Sequence, residues 1–159
     1  MKEKPSIAKE KPSVLFVCTG NICRSPTAEA VLKHLAAKSG FEVRIESAGI
    51  GDWHVGQPPD ERAQHHARQR GYDLSALRAR QVGKGDFEEF DLIVAMDRSH
   101  LEVLRAHCPP QHLGKLRMLV KGHDVPDPYH GGPAGFERVL DMVEAACRGL
   151  LHEMKTPTS

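Results

Sequence analysis

The sequence predicts a single doubly wound α/β domain: a four-stranded parallel sheet with helices on both faces. Three observations carry that expectation. Short apolar runs alternate with longer segments of helical periodicity, in the order β-α-β-α-β-α-β-α. The clearest runs are continuously apolar rather than alternating, as parallel strands covered on both faces are. The chain of 159 residues is enough for one core of ordinary size and too short for two, and it holds no repeat or linker.

Residues 1–12 are rich in Lys and Glu, contain Pro5 and Pro12, and lack the apolar run of a signal peptide. They read as a flexible N-terminal tail before a domain spanning 13–155. Val14-Leu15-Phe16-Val17 is the first strand. A Gly-containing turn follows, then Ser25-Pro26, a favourable N-cap with proline at the first helical position. Ala28, Val31, Leu32, Leu35 and Ala36 form the apolar stripe of the first helix, which Gly40 stops. Phe41 to Ala48 reads as the second strand, and a helix is expected from Asp60 to about Arg70. Leu92 to Met96 is the third strand, a helix runs from about Arg98 to His107, and Leu116 to Val120 is the fourth strand. A turn-rich loop through Pro126, Pro128, Gly131, Gly132 and Pro133 leads to a last helix that buries Phe136, Val139, Leu140, Val143, Cys147, Leu150, Leu151 and Met154.

Composition narrows the function. Lys and Arg number 22 against 21 acidic residues, so the net charge of +1 supplies no general attraction for nucleic acid or an anionic membrane. Any anion must be bound by a local site. No stretch approaches the ~18 apolar residues of a membrane span, and a cytoplasmic location is the default expectation. Four irregularly spaced cysteines do not make a disulfide framework, and ten scattered histidines supply no convergent metal-ligand pattern, so no metal or other cofactor is expected.

Open parallel sheets bind ligands beyond the carboxyl ends of their strands, where strand order reverses. Cys18 stands at such an end. After it, Thr19-Gly20-Asn21-Ile22-Cys23-Arg24-Ser25 wraps toward a helix N-terminus. Gly and Asn tolerate unusual backbone conformations, and the N–H groups of such a loop converge into an anion nest. The helix adds about half a positive charge, and Arg24 presents a planar fork able to grip two phosphate oxygens. The same features favour a negatively charged sulfur on Cys18.

These residues resemble the low-molecular-weight protein tyrosine phosphatases. The family signature of Cys, five residues, Arg, then Ser or Thr stands here as Cys18 to Arg24 and Ser25, directly after a strand. Further matches are Ser47-Ala48-Gly49, Asp52-Trp53, Val55-Gly56, Pro59-Asp60, Ala79-Arg80-Gln81, Phe90-Asp91, Met96-Asp97 and Asp127-Pro128-Tyr129. The resemblance implies a flavodoxin-like sheet and hydrolysis of phosphotyrosine in proteins through a phosphocysteine, releasing inorganic phosphate. It implies Cys18 as nucleophile, Arg24 and the backbone of Thr19 to Ser25 as the phosphate site, and Asp127 as general acid and base. Ser25 would ease departure of the Cys18 sulfur, and Asn21, Ser47 and Asp97 would support the loop. Trp53 and Tyr129 would wall a substrate slot floored by Ile22, and Cys23 would trap an oxidised Cys18 as a disulfide. Asp124 is the rival acid, and the Asp-Pro-Tyr context favours Asp127. Where the family has a His that steadies the loop Asn, this chain has Leu77, so part of Asn21's support is either missing or supplied by another residue such as Ser47.

Two relatives of that scaffold are weighed against this reading. Arsenate reductases need further resolving cysteines in mid-chain, and none lies between Cys23 and Cys108. Protein-arginine phosphatases carry Thr where Ile22 stands. A non-catalytic phosphotyrosine reader would need neither the thiol of Cys18 nor the acid of Asp127.

Overall fold

The structure, a computed structural model, describes residues 11–129 and 131–156; residues 1–10 of the expected tail lie outside them. Strand β1 is Ser13–Cys18, helix α1 Arg24–Ser39, β2 Arg44–Gly49, α2 Glu61–Gln69, α3 Lys84–Glu89, β3 Leu92–Ala95, α4 Arg98–His107, β4 Leu116–Met118 and α5 Pro133–Lys155, with a 3-10 turn at Pro110–Lys115. All strand pairs are parallel and the spatial order is β2-β1-β3-β4. The chain therefore runs outward from β1 to β2, then crosses back over β1 to β3. This reversal opens a crevice beyond the ends of β1 and β3, where Cys18 and Asp97 lie.

Strand periodicity divides the core between two faces. Val14, Phe16 and Cys18 of β1 join Val31, Leu32, Val139, Leu140 and Val143 under α1 and α5. Leu15 and Val17 join Phe87, Phe90, Leu101 and Leu104 under α3 and α4. Burying each such side chain contributes about 1.5–3 kcal/mol, so the continuously apolar first strand anchors both layers. Among the described residues no helix is long and apolar enough to cross a membrane.

Element boundaries differ from the sequence reading where backbone groups have other partners. Helix α1 begins at Arg24, with Cys23 as its N-cap, rather than being capped by Ser25. The Ser25 hydroxyl is turned instead toward Cys18 and Asn21. Gly40 ends α1 in the left-handed conformation at φ 69°. The Phe41 amide donates to Ala36 O and completes that cap, so β2 opens only at Arg44. The six-residue α3 was not expected; it is opened by Gly83 N donating to Asp86 Oδ2. Strand β4 ends at Met118, short of Val120.

Candidate active site

The segment from Cys18 to Ser25 connects β1 to α1 and is pinned from outside through its carbonyls. Cys18 O accepts from Ile50 N, Thr19 O from Gly51 N, Ile22 O from Asp60 N and Cys23 O from Thr27 N. Asn21 has φ 60°, the only positive φ of a non-glycine residue among those described. Gly20 is not among the positive-φ glycines; its closeness to a neighbouring ring is what sets it apart. A Cβ there would come within 2.8 Å of the His54 ring, so a side chain at this position would push that ring aside.

Cys18 is 3% exposed, and its Sγ lies 2.9 Å from Ser25 Oγ and 3.4 Å from the Ser25 amide. Ser25 Oγ accepts from Asn21 Nδ2 at 2.8 Å, which frees its own proton to point at the sulfur. Asn21 is held on every side. Its Nδ2 also donates to Ser47 Oγ at 2.8 Å, and its Oδ1 accepts from Arg80 N at 3.0 Å. Ser47 in turn donates to buried Glu29, which pairs with Lys33. Asn21 is thus held by the Ser47 hydroxyl and by the Arg80 amide. Leu77 packs against the main core instead.

Arg24 is 3% exposed. Its Nη1 donates to Asp97 Oδ2 and to Val125 O, both at 2.9 Å, and its Nη2 donates to Thr19 Oγ1 at 3.2 Å. Asp97 meanwhile caps α4 by accepting from His100 N. Its carboxyl is held below the usual range: burial opposes this, but Ser99, the His100 amide and Arg24 outweigh it.

Asp127 stands opposite the sulfur-bearing loop. Its side chain is half exposed, with Oδ1 accepting from Tyr129 N at 3.0 Å and Oδ2 3.7 Å from Arg24 Nη2. Asp124 accepts from Arg98 N at the start of α4 and does not line the pocket. Cys18, Thr19, Gly20, Ile22, Cys23, Arg24, Trp53, His54, Asp127 and Tyr129 enclose a cavity of about 230 Å³. Every residue expected at the slot is there. Trp53, 66% exposed, and Tyr129, 40% exposed, both line it. Burial, reinforced by Asp60, pushes the Cys23 thiol far up, so Cys23 enters the cavity protonated.

Three neighbours were missed by the sequence reading. His54 covers Gly20 and is steadied by Gln57. Arg62 donates to Tyr129 O and lies over the rings of Tyr129 and Phe136. His100 contacts Thr19 from α4. The position of His54 beside Trp53 offered a local signal; the other two contacts are long-range and offered none.

The family described as "Low molecular weight phosphotyrosine protein phosphatase" matches residues 13–159. The low molecular weight protein-tyrosine-phosphatase YfkJ of Bacillus subtilis is 44% identical over 147 residues, covering 87% of this chain and 93% of that protein. The low molecular weight protein-tyrosine-phosphatase of Streptomyces coelicolor is 46% identical over 149 residues, covering 87% and 90%. A crystal structure of a protein tyrosine phosphatase from Entamoeba histolytica, with Hepes in its active site, superimposes with a TM-score of 0.88 at 38% identity, covering 91% of this chain and 97% of that one.

Proposed function

Since this chain belongs to the low molecular weight phosphotyrosine protein phosphatase family, we propose that it hydrolyses phosphotyrosine in proteins through a phosphocysteine on Cys18. One observation carries the assignment of roles: Cys18 Sγ, the Arg24 guanidinium and the Asp127 carboxyl converge on one cavity walled by Trp53 and Tyr129. With the loop carbonyls bonded outward, its N–H groups form the nest that receives the phosphoryl oxygens. Arg24, fixed by three acceptors, shares that charge. The sulfur attacks phosphorus in line with the aryl oxygen, and Asp127 donates a proton to the departing phenolate, whose pKa is about 10. The same carboxylate then draws a proton from the water that attacks the phosphocysteine. Inorganic phosphate leaves and the sulfur is restored, with the Ser25 hydroxyl easing each departure of charge onto it.

A phosphotyrosine ring carries its phosphorus far from the peptide backbone, so a deep slot admits it and leaves the shorter phosphoserine out of reach. The phosphoproteins dephosphorylated are therefore those bearing phosphotyrosine, and the four free thiols support work in the reducing cytoplasm. Asp127→Asn should lower kcat by roughly 10²–10⁴-fold on phenyl phosphate, the range for losing a general acid, and much less on p-nitrophenyl phosphate, whose leaving group needs little protonation. Cys18→Ser should abolish turnover of both. If Asp124→Asn gives the leaving-group-dependent loss instead, the acid has been misassigned.

A further inference from the structure

His100 belongs to none of the roles above, yet it is buried against the phosphate site. Its ring comes from the first turn of α4 and is 4% exposed. Nε2 lies 2.7 Å from Thr19 Oγ1, across 81 residues of sequence. Nδ1 lies 3.3 Å from Asp97 Oδ1. It is the one buried side-chain nitrogen or oxygen among the described residues without a formed hydrogen bond. Thr19 and Asp97 are also two of the acceptors that fix Arg24: Thr19 Oγ1 receives Nη2 and Asp97 Oδ2 receives Nη1. The four side chains therefore close a cycle, Arg24 to Thr19 to His100 to Asp97 and back to Arg24.

We propose that His100 is a positioning residue for the phosphate-binding arginine, acting through Thr19 as a neutral imidazole that carries its proton on Nδ1.

The tautomer follows from counting donors. Were the proton on Nε2, Nδ1 would be a buried lone pair facing an Asp97 carboxylate oxygen. With the proton on Nδ1, the partial positive charge of that N–H lies 3.3 Å from the carboxylate oxygen, a favourable electrostatic contact short of a formed hydrogen bond, and Nε2 accepts from the Thr19 hydroxyl. Thr19 Oγ1 then donates to His100 and turns its lone pairs toward Arg24 Nη2. A doubly protonated ring would take away the acceptor that orients this hydroxyl. The surroundings oppose the second proton: burial is the largest influence and Arg24 adds to it, against the opposite pull of Asp97, Asp127 and Asp124, so that the ring titrates only at about 4. His100 does not line the cavity; its effect on bound phosphate passes through Thr19 and Arg24. This inference rests on the reading of Arg24 as the phosphate ligand.

The test uses inorganic phosphate as probe, its binding followed by the fluorescence of Trp53, the chain's single tryptophan and a wall of the cavity. His100→Leu and Thr19→Val should each weaken phosphate binding roughly tenfold, the scale of one lost hydrogen bond to a charged group. The double variant should be no worse than either single one, because both break the same link. Thr19→Ser, which keeps the hydroxyl, should bind nearly as the wild type does, and this arm stands even if His100→Leu fails to fold. Nitrogen-15 NMR of the wild-type imidazole should show a protonated Nδ1 and a bare Nε2, unchanged between about pH 8 and about pH 5. Additive losses in the double variant, a proton on Nε2, or titration within that window would each overturn the proposal. Coupled losses of phosphate binding in a protein without phosphatase turnover would support this link while removing the proposed function. Normal turnover with additive losses would do the reverse.

Discussion

Cys18 and Cys23 share the cavity but not their immediate surroundings. Desolvation, with Asp60 next in importance, keeps Cys23 a thiol, whereas Cys18 receives the Ser25 hydroxyl and amide. Cysteines 108 and 147 are buried in the two core faces and away from the cavity, the latter pushed up to about 12 by burial. Peroxide should therefore act first at Cys18, giving a sulfenic acid. Cys23 then displaces its hydroxyl as water, leaving a disulfide that dithiothreitol reduces. Because the attacking form is the thiolate, capture should be slow near neutrality and quicken as pH rises. After equal peroxide exposure, dithiothreitol should restore more activity to wild type than to Cys23→Ser, whose Cys18 proceeds to irreversible acids. The gap should widen at higher pH. Equal recovery in both proteins would rule out the protective role of Cys23.

The loop after β2 makes the slot from the other side. Gly49 lies so close to the phosphate loop that a Cβ would sit 3.0 Å from Gly20 C and Thr19 O. Two residues on, the indole of Trp53 folds back over Gly51, where a Cβ would meet ring carbons at 1.9 Å. Gly51→Ala must therefore displace the indole. The expected result is a fall in kcat/KM toward phosphotyrosine peptides about as large as that of Trp53→Ala, with inhibition by inorganic phosphate little changed. An unchanged kcat/KM would mean that the indole is not a working wall. Neither contact was visible in sequence, although Trp53 itself was. What the sequence did show were features with a local cause: the apolar run of β1, the stripe of α1, the left-handed stop at Gly40, and the loop from Cys18 to Ser25. The short α3 depends on one carboxylate, Asp86, that bonds Gly83 N and Arg80, too little for a periodic signal. Arg80 N supports Asn21 from 59 residues away, and His100 meets Thr19 only because β1 and β3 are neighbours in the sheet. Backbone donors and side chains brought together by strand order leave no trace in local spacing.

At the scale of the whole molecule, near-balanced charge leaves acid stability to a few buried groups. His100 dominates among the basic ones. The unfolded chain binds a proton at this imidazole below about 6.5, whereas the native ring does so only at about 4. Across that window unfolding takes up a proton, so stability falls as pH falls, and it falls no further on this account below about 4. The full effect is on the order of 3–4 kcal/mol, at about 1.4 kcal/mol for each pH unit of separation. The lowered carboxyls of Asp97 and Asp60 act in the same direction but later. They withdraw their stabilisation only once pH drops through the ordinary carboxylate range toward their native values. Acid should thus weaken the fold in two stages, the first due to one histidine. Urea midpoints measured at about pH 6.5 and about pH 4.5 should differ clearly in the wild type. In His100→Leu, which has no proton to take up there, most of that difference should disappear, although the variant is less stable at every pH. Equal pH sensitivity in the two proteins would show that the ring of His100 is not held neutral inside the fold, and that another group governs the first stage.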